Sequence, residues 1–484
     1  MDLEVAKLVF ENTDDQRNKF AKRYKESVRY YNNENDITKK NGGKDKLDDN
    51  GKENSDGIRK ADNRIGNGYH RILVDQKSQY VGGIVPTFDV EDDALNKGVL
   101  DALGDNYDRT FNRLVVDASN AGTGWIHYWV DDETNEFRYA TIDPSQITPI
   151  YDESLVEKLL AVRRTYEALD TETGEVYIYD EYWTDTTAQF FKREKGKDYD
   201  SLMSDERVPV IDVNIGETVE AASELQHDFG RVPFIPFMNN QDGTPDLQRY
   251  KGLIDVYDRV YSGFVNDVDD VQQVILVLTN YGEAGSADEF KAKLKRDQVI
   301  NIEKYGDGDK SGLDTLTIDI PIEARNNLLD RTREAIFLHG QGVDPLRVEL
   351  GTNSSGVALK MIYTLLELKS SAVESEFRPA LSELIRAVLR YLGDAKVDKR
   401  RISQVWTRAA VKDETEQADI ISKLADVTSA EAIAKANPLV TDWQNELLLR
   451  EEETGNDYYK LDNDPEELKD DDDKEKAVED DDSE

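Results

Sequence analysis

Few residues in this chain are of a type and spacing that could break or make bonds. The four histidines, His70, His127, His227 and His339, are scattered, and none stands in the His-Glu-x-x-His spacing that sets two imidazoles on one helix face for zinc. Such isolated histidines read as structural or exposed. Three Gly-Lys pairs, Gly43-Lys44, Gly51-Lys52 and Gly196-Lys197, lack the following Ser or Thr that a phosphate-cradling loop uses to reach magnesium. No Gly-x-Ser-x-Gly elbow occurs. Cysteine is absent, which removes thiolate nucleophiles, thiolate zinc sites and disulfides together. Asp307-Gly308-Asp309-Lys310-Ser311-Gly312 matches the first half of a calcium loop. Its twelfth position, where a bidentate Glu should close the shell, is Ile318, so a polar turn is expected. Acidic residues are dense enough that carboxylate pairs arise by chance. A two-metal site therefore stays open, although no spacing singles one out. The expectation is a protein without catalytic residues, resident metal or cofactor.

The elements that position these residues follow from composition and period. The chain has 484 residues, 101 acidic against 61 basic, for a net charge of −40, and 38% are hydrophobic. That length implies two to four domains with enough apolar side chains for a core. Glu451–Glu484 carries 18 acids and 4 bases, and the body is acidic as well. Tight nucleic-acid binding, which rests on Lys and Arg displacing counterions, is disfavoured. No apolar run approaches the ~20 residues of a membrane span; the longest strongly apolar stretch is Val274–Leu278. Met1-Asp2-Leu3-Glu4 shows no secretory signal, so the cytosol is the expected compartment.

Helical spacing predicts helices over 3–31, 68–80, 98–121, 247–271, 321–339 and 356–392, with weaker ones at 402–409, 414–424, 428–436 and 442–453. Residues 32–57 are poor in hydrophobics and read as a mobile loop. From Gly122 the period changes to strands: 125–130, 137–142, 158–168, 175–184, 187–193 and 208–213, with a hairpin signal at Asp170–Gly174. Residues 274–320 read as a small α/β insert. Pro379 lies inside the long helix and should kink it. The acidic end has little to bury. The fold class is α+β.

The order of these pieces, and four stretches within them, resembles the portal proteins (head–tail connectors) of tailed double-stranded-DNA bacteriophages, of the long-tailed siphophage type. The stretches are Asn63-Arg64-Ile65-Gly66-Asn67-Gly68-Tyr69 leading to Val74–Gly83; Ala121-Gly122-Thr123-Gly124-Trp125 leading to Ile142-Asp143-Pro144 and Ile147–Tyr151; Gly230–Phe237 with Asn239-Asn240, then Leu253–Tyr257 and Asp267; and Ser355–Lys360. Together they span roughly residues 60 to 395. The resemblance implies a portal fold: a wing over 1–245, stem helices over 246–273 and 321–342, a clip over 274–320, a tunnel loop over 343–354, a long kinked wing helix over 355–393, a helical crown over 394–455 and an acidic disordered tail over 456–484. It further implies a homo-oligomeric ring of about twelve copies at the capsid portal vertex of the virion, assembled in the host cytoplasm. Double-stranded DNA would pass without sequence readout. The terminase large subunit, the head-completion or tail adaptor protein, and the scaffolding and major capsid proteins would be its partners, and no membrane. An acidic wall suits a duplex that must slide, since each phosphate contact deepens a trap.

On that reading the tunnel-loop residues Asp344, Leu346, Arg347, Val348, Glu349, Leu350 and Asn353 would face the channel, although apolar residues such as Leu346 equally suit packing within the loop. Arg325, Arg331 and Arg333 either touch phosphates or a neighbouring subunit's acids, or form a solvated face with local ion pairs. Lys291, Lys293, Lys295 and Arg296 either contact DNA at the clip or are the polar side of a short helix. Pro379 either lets the long helix flex or fits a static bend. Trp125, Trp129 and the tyrosines at 177–182 read as core of the β unit. Two other functions stay open: a metal-dependent nuclease using Asp/Glu clusters, and an extracellular or tail-fibre structural protein.

Overall fold

The computed structural model describes residues 1–39, 61–131, 133–155, 157–171, 174–212, 217–271, 275–279, 312–316, 321–346 and 356–409, with scattered residues between 422 and 450. By contacts the chain divides into one unit of Met1–Gly351 with Lys360–Ala410, and a second of Thr352–Leu359 with Val411–Glu484.

The first unit begins with α1 (Leu3–Tyr31), a single 3-10 turn at Asp36–Thr38 and α2 (Tyr69–Gly82). Strand β1 (Thr87–Asp89) leads to α3 (Asp93–Leu103) and α4 (Tyr107–Ala121). The expected helix over 98–121 is therefore two helices. Gly104 between them takes a positive φ of 61°, which breaks the helical path, and Asp92 starts α3 by accepting from the Leu95 N–H. Gly122 ends α4 with φ 91°, and a Cβ there would lie 2.0 Å from the Gly243 carbonyl, so only glycine fits.

Strands β2 (Thr123–Val130) and β3 (Phe137–Ile142) follow as predicted, then β4 (Ile147–Tyr151), β5 (Leu159–Leu169), β6 (Val176–Trp183), β7 (Thr187–Glu194) and β8 (Met203–Ser204). Next come β9 (Val208–Asp212), β10 (Glu217–Ala222), β11 (Glu224–Gln226) and β12 (Phe234–Met238). All pairings are antiparallel. One sheet runs β11-β7-β6-β5-β4 with β8 beside β7, and a second runs β12-β2-β3. The β5–β6 hairpin closes where Asp170–Gly174 announced it, with Gly174 at φ 74°.

The helical half is α5 (Lys251–Val271), α6 (Ile322–Gly340) and α7 (Gly356–Tyr391). Between α5 and α6 the described residues are one antiparallel pair, β13 (Ile275–Thr279) with β14 (Gly312–Leu316). The helix expected at 402–409 is instead strand β15 (Ser403–Val405), which pairs with β1. Its side chains explain the difference. Gln404 Nε2 donates to the Arg378 carbonyl and the Ser382 hydroxyl of α7, and Trp406 packs 5.5 Å from Phe111. These tertiary contacts outweigh a weak local helical preference. In the second unit, α8 (Ala430–Ala436) is capped by Ser429, whose hydroxyl accepts from the Ala432 N–H.

The largest core joins α3, α4, β2, β3, β12 and the C-terminal half of α7 through residues such as Phe111, Phe237 and Phe377. The amphipathic stripe of α7 buries Phe377, Leu381, Leu384, Ile385 and Val388 here. A separate cluster fixes α1 to the six-stranded sheet. At its centre Arg163 of β5 is fully buried, reaching Asp180 at 2.8 Å, Asp14 at 3.0 Å and the Phe10 carbonyl at 2.9 Å, with its guanidinium 4.2 Å over the Phe10 ring.

Removing that guanidinium leaves Asp180 buried without its close counter-charge. Arg163→Ala is expected to lower unfolding free energy by about 3–5 kcal/mol, and Arg163→Lys by less, since the ammonium keeps the charge and loses the planar fork. Equilibrium urea unfolding checks this; a loss under about 1 kcal/mol for the Ala variant contradicts it.

Candidate functional site

The elements that carry most of the sequence-selected residues are α5, α6 and the chain just after α6. Helices α5 and α6 pack on α1 and α2 through Tyr30, Tyr69, Leu73, Ile254, Ile336 and Phe337. Tyr69 meets Tyr257 edge to face with ring centroids 4.9 Å apart. Along the polar side of α5 lies the first motif. The N–H groups of Asn67, Ile65 and Asn63 donate to Asp258 Oδ1 at 2.9 Å, Ser262 Oγ at 3.0 Å and Asn266 Oδ1 at 2.6 Å. Every second residue of the extended segment meets every fourth of the helix. The match is geometric: two extended residues rise ~6.6 Å and four helical residues ~6 Å. Burial raises the Asp258 carboxyl, against the bonds from Asn35 and Asn67.

The three selected arginines of α6 differ. Arg325 pairs with Asp267 of α5, which fastens the two helices, and Arg333 pairs with Asp344 just beyond its own helix. Arg331 is exposed and carries no ion pair among the described residues. Asp344 also accepts from the Leu346 N–H at 3.1 Å, and Leu346 is exposed. Arg347, Val348, Glu349, Leu350 and Asn353 lie outside the described residues. So do Lys291, Lys293, Lys295 and Arg296, most of the 307–318 turn, residues 40–57 of the expected loop and the tail over 456–484. Pro379 is exposed and sits within one continuous assigned helix, facing away from the core that Phe377 and Leu381 enter.

Of the tryptophans, Trp125 is buried in a cluster of β2 with the six-stranded sheet, whereas Trp129 is half-buried and lines a cavity of about 730 Å³ beside His127, Trp183 and Tyr391. Among the described residues no His, Asp or Glu cluster could hold a metal ion, and no helix is long and apolar enough to cross a membrane.

Beneath α2 and the α5–α6 pair lies a polar network that sequence reasoning missed. Asp246, in the 3-10 turn before α5, is buried between Lys77 of α2 at 2.6 Å and Lys369 of α7 at 2.9 Å, and accepts from Asn239 Nδ2 at 2.9 Å. Burial alone would raise its carboxyl, but Lys369 and Lys77 hold it well below the usual carboxylate range. Burial brings the Lys77 ammonium down to about 7 against the attraction of Asp246, and Lys369 pushes it further the same way. Beside it His70 bonds Tyr250 at Nδ1 and Asn120 Oδ1 at Nε2, both within 2.9 Å. Asn120 Oδ1 only accepts, so Nε2 carries the proton and Nδ1 accepts from the tyrosine hydroxyl. The available signal was polar residues at helical positions otherwise apolar, Lys77 between Val74 and Tyr80 and Lys369 after Leu365 and Leu366.

Burial lowers the His70 imidazole to about 4. The unfolded chain, with an ordinary imidazole near 6.5, therefore takes up a proton that the folded chain refuses. Stability supplied by neutral His70 is complete above about pH 6.5 and is lost as pH falls towards 4, with a slope near 1.4 kcal/mol per pH unit. Urea unfolding of the wild type and His70→Gln between those limits should differ by up to one proton in slope; equal slopes contradict the assignment.

The chain matches the family model described as "Phage portal protein, SPP1 Gp6-like" over residues 11–458. It is 37% identical over 426 residues to the portal protein of Clostridium phage phiCD119, covering 85% of this chain and 88% of that one. It is 31% identical over 454 residues to the portal protein of Bacillus phage SPP1, covering 90% and 84%. Solved structures resemble it more distantly. A chain of the neck of an empty gene transfer agent (GTA) particle, computed with C6 symmetry, aligns at TM-score 0.42 and 12% identity over 77% of this chain and 90% of that one. A chain from the virion of the native particle aligns at 0.40 and 12% over 79% and 90%. With the family match spanning nearly the whole chain, the α5–α6 pair, the Asp344 junction and the strap at 63–67 are parts of a structural protein of the virion: the chain belongs to the phage portal protein family.

Proposed function

We propose that identical copies of this chain, about twelve, close into a ring at one capsid vertex, through which double-stranded DNA passes inward during packaging and outward during ejection. The α5–α6 pair is the stem, the chain from Val343 onward is the tunnel loop, and the strand pair β13–β14 belongs to the clip. The wing takes in residues up to 409, because β15 and Trp406 pack with β1 and Phe111, and the crown begins after them. The clip side meets the terminase large subunit and later the tail adaptor, while the scaffolding and major capsid proteins meet the wing. ATP hydrolysis belongs to the terminase.

The observation that carries this reading is the set of apolar side chains left exposed along the proposed stem pair. Val256 and Val268 on α5, with Ile322, Leu328 and Leu338 on α6, are exposed in the single chain, on helices whose inner faces are already fastened by Arg325–Asp267. Exposed apolar residues on a helix pair fit burial in a head-to-tail contact with the next copy, which generates a ring where the rotation closes and a filament where it does not. The net charge of −40 supports a wall that a duplex does not grip.

Electron microscopy with native mass measurement tests the assembly. The expected result is a closed ring with rotational symmetry and a central hole. A chain that stays monomeric with capsid components present, or forms filaments without a hole, overturns the reading. Incubation of DNA with the ring and divalent metal should leave it intact; cleavage would favour a nuclease. Packaging by a Pro379→Ala ring separates flexing from a static bend: reduced DNA uptake at unchanged assembly is expected for a flexing helix, and full uptake removes that role.

A further inference from the structure

The chain leaves α6 through a conformation that several elements fix at once. Gln341 takes the left-handed region at φ 53°, unusual for a residue with a side chain. The Gly342 N–H donates to the Phe337 carbonyl at 3.0 Å and the Gln341 N–H to Leu338 at 3.2 Å, a Schellman exit. Arg249 reaches Gln341 Oε1 at 2.9 Å, and Lys369 Nζ donates to the Gly340 carbonyl at 3.0 Å. The next residue has no helix or strand partner. Gln76 of α2 supplies both bonds instead: its Nε2 donates to the Val343 carbonyl at 2.7 Å, and its Oε1 accepts from the Val343 N–H at 3.0 Å. A side-chain amide here takes the place of a neighbouring strand. Close approach is needed for this. A Cβ on Gly342 would lie 2.3 Å from Leu73 Cδ2 and 2.8 Å from Gln76 Oε1, so any side chain there must push both aside.

We propose that Gln76 is a positioning residue for DNA passage: by clamping Val343 it sets the direction in which the chain emerges from the stem helix, and Asp344 after it. The proposal rests on the portal reading above. Gln76 lies on α2 and touches the junction through its backbone alone, and it sits one residue before Lys77, which is held by Asp246. The clamp is thereby tied to the buried charge cluster and to Lys369, which grips the Gly340 carbonyl from α7.

Three variants test it in the assembled ring. Gln76→Leu loses both bonds at similar volume. Gln76→Glu keeps an acceptor for the Val343 N–H but faces the Val343 carbonyl with a charge; once protonated, its O–H donates there and the clamp is restored. Gly342→Ala displaces Leu73 and Gln76 without changing either. Gln79→Leu on the exposed side of α2 is the control. Hydrogen exchange at the Val343 amide, corrected for intrinsic rate, should rise about tenfold or more in Gln76→Leu and Gly342→Ala. DNA uptake, normalised to wild-type rings at each pH, should fall in all three at about pH 8. The Val343 carbonyl facing the new carboxylate raises its pKa above the ordinary value of about 4.3, so uptake should recover for Gln76→Glu alone as pH is lowered to about 5.5 and below. Unchanged exchange at Val343 overturns the clamp. Normal uptake by intact rings of Gln76→Leu overturns positioning while the portal reading stands. A loss of uptake that only follows loss of ring assembly and thermal stability, with no pH recovery for Gln76→Glu, makes Gln76 merely structural and overturns the proposal. Failure of the wild-type chain to form rings sinks the portal reading itself, and this inference with it.

Discussion

One carboxylate organises the helical half of this protein. Asp246 is out of water, and an isolated ionised carboxylate in that position would cost several kcal/mol. It stays ionised because two ammonium groups and an amide converge on it from different elements: Lys77 from α2, Lys369 from α7 and Asn239 from the end of the small sheet. Neither lysine could be buried without it. The reciprocal dependence means that α2, α7 and the start of α5 must arrive together or leave charges stranded. Lys369 extends the same tie to the last turn of α6 through the Gly340 carbonyl. A hydrophobic junction of equal area would tolerate sliding; directional bonds to one small group do not.

The second constraint is the register between the segment at 63–67 and α5. Asp258, Ser262 and Asn266 accept from alternate backbone N–H groups of an extended chain. Every one of those donors would be orphaned if α5 rotated by one residue. The polar side of α5 is thus as specific as its apolar side, which packs Ile254 against Tyr250 and Ile336. Together the strap and the Asp246 cluster fix α5 in rotation and in position, and Arg325–Asp267 then orients α6 on it. What remains uncovered on the pair includes Val256 and Val268 of α5 and Ile322, Leu328 and Leu338 of α6.

Much of this was legible in the sequence, where periodicity was strong. Helices α1, α2, α5, α6 and α7 and strands β3, β5, β6 and β7 lie where spacing put them, because each has one apolar face and an unambiguous stop, whereas β4 at Ile147–Tyr151 was not expected. The failures are also physical. The 98–121 pattern runs through Gly104 because apolar residues on both sides share a phase, and only the backbone angle breaks it. Residues 402–409 are short, and their state was decided by an edge strand over 300 positions away, β1, and by Gln404 reaching α7. At the site, Arg325 and Arg333 were visible as cations, but whether they pair inside the chain depends on Asp267 and Asp344 being brought within reach. Lys77 and Asp246 stand 169 positions apart, and Gln76 and Val343 stand 267 apart. No local pattern announces such a pairing; two of the four residues sat inside a quoted motif without a role.

The charge imbalance acquires a structural meaning from the same pairing. Arg163 and Arg164 of β5, Arg207, Arg378, Arg390, Arg400 and Arg408 each hold a carboxylate of this chain, most of them from half-buried positions. These cations serve the fold. With 101 acids against 61 bases, the pairing uses up bases faster than acids, so the solvent-facing remainder is more anionic than the sequence average. A phosphate backbone approaching such a surface meets more carboxylates than cations able to displace its counterions, and with less of that release association gains less. For a proposed conduit this is the useful outcome. The interior is rigidified by charge pairs, and the same pairs withhold those cations from any duplex the proposed conduit would carry. Arg331 on α6 and Arg259 on α5, both exposed without an ion pair among the described residues, are exceptions on the proposed stem, where a phosphate or a neighbouring copy's carboxylate would first be felt.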